Sequence, residues 1–201
     1  MLKKICCATL IVSLALCSFV ITSCSSPLVT VDQSITPHDV ALKAILELGY
    51  TEKDLIEFSE PENESKKIVE YYSEGSEDYV LDDILFDVLL GSVADDSLTL
   101  GMIGQYSIMM FDKDLPFPFE LMIVKLPKTD GKADQDLISK VKKLCANNLN
   151  QYKRTMQDYF SQYIPYAEKA NVKVTDNFVY YCMSENPSKV MTVIYNFLAG
   201  R

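Results

Sequence analysis

"NVKVTDNFVYYCMSE", residues 171–185, decides the architecture of this chain. Two runs rich in β-branched and aromatic residues flank a polar step at Thr175-Asp176-Asn177, and such runs favour strands while Asp and Asn favour tight turns. The stretch predicts a β-hairpin. Directly after it, Asn186 stands as a helix cap with Pro187 at the first helical position. Val190, Met191, Ile194, Phe197 and Leu198 then recur at helical spacing, which predicts a helix packing one apolar stripe.

The same hairpin-then-helix grammar lies upstream. "QYSIMMFD" and "FELMIVKLP", at 105–112 and 119–127, are strand-like runs joined by the turn-rich "DKDLPFP". A long helix is expected from Lys132 to about Tyr163, on the spacing of Leu137, Val141, Leu144, Tyr152 and Met156, with Pro165 marking its limit. "TPHDVALKAILELG", 36–49, reads as a helix with Thr36 as cap, Pro37 next, Asp39 three past the cap and Gly49 as its stop. "TEKDLIEF" promises another turn or two of helix, and "LDDILFDVLLG", 81–91, a further helix. The charged stretch from Ser59 to Tyr79 holds a short helix or strand at Lys67 to Tyr72. The order is ααββαββα. It predicts a two-layer α+β domain over residues 36–201: a four-stranded antiparallel sheet of two hairpins, helices on one face and solvent on the other.

Taken together, the short first helix ending in Gly, the strand pair, the long polar helix and the final hairpin with Asn177, Phe178, Val179 and Ser184 resemble a known family. It is the domain of unknown function numbered 4358, carried by lipoproteins of Firmicutes, especially gut clostridia. The resemblance spans about Thr36 to Leu198, with Ser59 to Tyr79 longer than is usual there. It implies a cell-surface lipoprotein of this fold and lends no activity and no catalytic residues.

The N-terminus carries its own signal. "MLKK" is followed by 18 residues without charge, "ICCATLIVSLALCSFVIT". A basic start, an apolar core and small residues at the end make a secretory signal, although such a length also suits an uncleaved membrane helix. The cysteines favour the first reading. Cys24 has Ile21, Thr22 and Ser23 before it, which resembles the lipobox of bacterial lipoproteins. Cys17 follows the bulky Leu16, and Cys6 and Cys7 precede any apolar core. Residues 1–23 are therefore expected to be a lipoprotein signal peptide, Cys24 the lipidated residue, and 24–35 a polar tether. Two acyl chains anchor stably where one anchors marginally. The expected location is the extracytoplasmic face of the cell membrane.

Composition then narrows function. The chain carries 28 acidic and 19 basic residues, which disfavours nucleic-acid binding. The charge is divided: 21 acidic and 5 basic residues from Cys24 to Val124, 7 acidic and 12 basic from Lys125 on. Attraction between the two halves within one fold is the simpler account, a polyanion-binding face the alternative. The single histidine, His38, sits in a first helical turn and reads as a solvated surface residue. No GxSxG, HExxH or phosphate-cradling loop is present. Asp82-Asp83 reads as helix-dipole partners, and Asp95-Asp96 lacks calcium-loop spacing. Cys145 and Cys182 are expected to be buried and inert, with a bridge between them conceivable. Tyr152, Tyr159 and Tyr163 read as core edge. Phe117 and Phe119, in a loop stiffened by Pro116 and Pro118, either cover the sheet edge or contact a protein or envelope partner. No cofactor is expected. The function expected is a binding or envelope-structural module, more a non-enzyme than an enzyme. The alternative is a carboxylate-dependent hydrolase of cell-envelope polymers, for which two converging carboxylates would speak.

Overall fold

The computed structural model describes residues 29–56, 68–72, 98, 100–111 and 119–201. The expected signal peptide, Cys24, the helix at 81–91, both Asp pairs and Phe117 lie outside them.

The hairpin at residues 171–185 forms as expected. Strand β7, Lys173–Thr175, turns at Asp176-Asn177 into β8, Phe178–Met183. Asp176 takes φ 55°, the left-handed region that Asp tolerates better than most side chains. Strand β8 pairs antiparallel with β4, Glu120–Lys125, and β4 with β3, Gln105–Phe111. The expected α+β class and the four antiparallel strands in two hairpins are all present. Two further strands extend the sheet. β2, Ile68–Tyr72, settles the ambiguous segment as a strand antiparallel to β3. β1, Leu55–Ile56, adds a two-residue parallel edge after a single 3₁₀ turn at Glu52–Asp54, where helix was expected. The strand order is β1-β2-β3-β4-β8-β7.

Helix α1, Pro37–Leu46, closes a full capping box: the Thr36 hydroxyl accepts from the Asp39 amide, and the Asp39 carboxylate accepts from the Thr36 amide. A short helix α2, Leu100–Ile103, leads into β3 through Gly104. That glycine has φ 80°, and a Cβ on it would stand 2.9 Å from the Lys125 carbonyl, so only glycine fits. A miniature hairpin, β5 Lys128–Thr129 and β6 Lys132–Ala133, turns at Asp130-Gly131 and occupies the place where the long helix was expected to begin. Both turn residues have positive φ, the hallmark of a tight hairpin turn. Helix α3, Gln135–Tyr159, therefore starts later, capped by the Asp134 carboxylate. Pro165 does not mark its limit. It stands in the first turn of a separate helix α4, Ile164–Lys169, beyond a 3₁₀ turn at Ser161–Tyr163. Helix α5, Pro187–Leu198, opens on Asn186 and Pro187 as read.

The layering differs from expectation. Met122, Val124, Tyr181 and Met183 pack beneath α3 and α4 with Val141, Leu144, Leu149 and Ala167. Leu121, Ile123, Phe178, Tyr180 and Cys182 point the other way, against Val40, Ala44 and Ile45 of α1 and Val190 and Ile194 of α5. Helices thus cover both faces, and no solvated face remains on the central strands. The reason is legible in "LMIV" and "FVYYCM": strands apolar at every position must be buried on both sides.

The expected tether also changes. Val31 is 2 % exposed and belongs to the core on the α1 side. Its amide donates to Asp176 Oδ2 at 2.9 Å, and Lys125 Nζ donates to the carbonyls of Gln33 and Ile35 at 2.6 and 2.9 Å. Residues 29–35 are a docked strap.

Candidate functional site

Each face of the sheet buries one glutamate, and these two carboxyls are the chemically distinctive groups among the described residues. Glu70 on β2 stands opposite Met109, facing α1. Its side chain is 3 % exposed. The capping box that opens α1 sets His38 above it, with Nδ1 2.9 Å from both carboxylate oxygens. The Ser107 hydroxyl, on the neighbouring strand, donates to Oε1 at 2.6 Å. The bond to Glu70 raises the His38 pKa above its ordinary 6.5, overcoming the opposite effect of burial. His38 is therefore an anchored, half-buried partner of a carboxylate, which corrects its reading as a solvated surface residue.

An acid, a histidine and a serine meet here, yet in the wrong order for nucleophilic catalysis. That chemistry needs the hydroxyl on the imidazole and the acid on the other ring nitrogen. In this protein the carboxylate is central and accepts from both, and Ser107 is fully buried. The arrangement pins α1 to β2 and β3. It does not present a nucleophile.

Glu120, the first residue of β4, faces the opposite way. It is 3 % exposed beneath α3. The Tyr181 hydroxyl donates a short hydrogen bond to Oε1, and the Tyr152 phenol reaches the same carboxyl from α3. Oε2 is buried with no partner of hydrogen-bonding geometry. Burial dominates, lifting the Glu120 pKa from 4.5 to about 7, while the two phenols pull weakly the other way. The same burial pushes the Tyr181 and Tyr152 phenols well above their ordinary range. Cys145, in the same cluster, has its thiol pushed up to about 12.

The two carboxyls do not converge. Strand pleating sends Glu70 and Glu120 to opposite sides of one sheet, so they cannot share a substrate as general acid and base. Cys145 and Cys182 likewise lie in clusters on opposite faces, both fully buried and free, which excludes the conceivable bridge. Cys182, also pushed up to about 12, is as inert as Cys145. Phe119 is 4 % exposed in the core on the α1 side, so its ring is a core residue and not a partner-facing tip. Tyr159, expected at the core edge, is 75 % exposed at the end of α3. Among the described residues no group of His, Cys, Asp and Glu is placed to hold a metal ion, and no helix is long and apolar enough to cross a membrane.

Sequence reasoning passed over Glu70, Ser107 and Tyr181, and it did not place Glu120 in a core. The available signal was alternation: once β4 is read as buried on both faces, Glu120, two residues before Met122, must be in a core.

No family model matches the chain, and no curated protein or solved structure shows significant similarity to it.

Proposed function

We propose that this protein is a lipid-anchored lipoprotein of the extracytoplasmic face, acting as a binding or envelope-structural module. The observation that carries the reading is Ile21-Thr22-Ser23-Cys24 at the end of an uncharged run behind two lysines. The resemblance to the lipoprotein domain of Firmicutes points the same way, and it supplies no catalytic residues. Support for a binding role over hydrolysis comes from the placement of Glu70 and Glu120, separated by the sheet and each already engaged by side chains of its own core. A domain covered by helices on both faces, with inert buried thiols, suits a rigid body that presents its surface to a partner.

Crosslinking the protein in its native membrane, with Cys24→Ala as the control, tests the reading. The wild type should sediment with membranes and capture a reproducible envelope neighbour. Cys24→Ala should leave the membrane fraction or accumulate unprocessed, and lose that capture. A Cys24→Ala protein that matures normally and stays on the membrane contradicts the anchor. A purified wild-type protein that cleaves envelope polymers, with the cleavage lost on substituting a carboxylate, contradicts the non-enzymatic role.

A further inference from the structure

Three groups fasten the strap at residues 29–35 to one end of the sheet. Asp176, in the β7–β8 turn, accepts the Val31 amide at 2.9 Å, and Lys128 of β5 pairs with the same oxygen at 2.5 Å. Lys125, the last residue of β4, holds the Gln33 and Ile35 carbonyls. Gln33 also meets the Asn177 side chain, and Asn177 in turn donates to the Leu126 carbonyl at 2.6 Å. This end carries the β5–β6 hairpin, with Thr129 and Lys132 exposed at its tip. It also carries Met102 of α2, 46 % exposed, since Gly104 beside it packs on the Lys125 carbonyl. The opposite end carries Glu185, exposed between β8 and α5.

Chain length turns this fastening into an orientation. Only four residues separate Cys24 from Val29, and the five steps of chain between them, fully extended, reach at most about 18 Å. A domain of this size is about 40 Å across. Had residues 29–35 been free, they would have more than doubled the leash, and the domain could turn over on its anchor. Fastened as they are, they bring the anchored chain out of the fold at the Asp176 end. Resting on the lipidation of Cys24, we propose that this end of the sheet, with the β5–β6 hairpin and Met102, lies at the bilayer surface and faces the phospholipid headgroups. The Glu185 end points away and is the face open to envelope partners.

Thiol labelling tests this directly, because Cys145 and Cys182 are buried and Cys24 is consumed by the lipid. Mature lipidated protein carrying Thr129→Cys or Glu185→Cys is labelled with a donor dye. It is then reconstituted into phosphatidylethanolamine–phosphatidylglycerol vesicles bearing a headgroup acceptor. Energy transfer from position 129 should be severalfold stronger than from 185, and a flexible insertion between Ser26 and Pro27 should narrow the difference. Equal transfer from the two positions without the insertion overturns the orientation. A difference that survives the insertion overturns the short leash as its cause. If the wild-type protein does not float with the vesicles at all, the lipid anchor itself fails, and the orientation with it.

Discussion

Glu120 shows how one residue can set the response of the whole fold to pH. Its folded-state pKa lies above the ordinary value, at about 7 against 4.5, so the folded protein keeps a proton that the unfolded chain releases. Stability should therefore fall as pH rises from about 4.5 to about 7 and then level off, by roughly 3 kcal/mol in all. Glu120→Gln keeps the shape and an acceptor for Tyr181 but cannot ionise. Thermal melts should show the wild type losing several degrees between pH 5 and pH 6.5 while the variant stays nearly flat; parallel curves would refute a buried ionisable Glu120. His38 works in a higher window. Its pKa is raised, so the stability it contributes is complete below 6.5 and is lost as pH rises through the folded value. His38→Gln should cost about 1 kcal/mol at pH 6, a figure discounted for the partial exposure of the imidazole, and progressively less as pH rises. A gap that does not narrow with pH would mean that His38 acts by packing and not by charge. Neither glutamate reads as buried in the sequence. Glu70 sits in a charged segment where one more acid carries no signal, and Glu120 follows two prolines that suggest an exposed loop.

At the scale of elements, local chemistry was the most legible part of the sequence. Thr36-Pro37 with Asp39, and Asn186-Pro187, read correctly because a cap is decided by a few adjacent residues and their own backbone. The Asp176 turn read correctly for the same reason. Asp130-Gly131 was an equally strong turn signal, and it was overlooked because the apolar spacing of α3 was extended back to Lys132, over the strand that follows the turn. The β1 edge could not be read, since two residues hold no period. The strap was read as a tether because its side chains look polar, whereas its fastening uses its backbone: the Val31 amide and the Gln33 and Ile35 carbonyls. Backbone partners leave little trace in composition. The strap makes a direct prediction. Asp176→Ala removes the acceptor of the Val31 amide and the partner of Lys128, and it places alanine at φ 55°. It should destabilise the domain by about 1–3 kcal/mol and speed amide exchange at Val31 far more than in β4 or β8. Equal acceleration everywhere would mean that Asp176 serves the global fold and not the strap.

For the molecule as a whole, sequence patterning gave the α+β class and the two hairpins, and it failed on the number of layers. The helices α1 and α5 on one face and α3 on the other each show one apolar stripe, and a stripe says that a face is covered without saying which. The sheet itself held the answer, in strands apolar at every position. The division of charge is consistent with one body: Lys189, from the basic half, pairs with Glu47 of the acidic half at 3.2 Å. The central claim is that this body is carried on a lipid at Cys24. Mass spectrometry of the N-terminal peptide of the mature protein, purified from membranes, tests it most directly. The account predicts a peptide that begins at Cys24, with a diacylglyceryl group on its sulfur. An unmodified Cys24, or a mature chain that begins anywhere else, would contradict it.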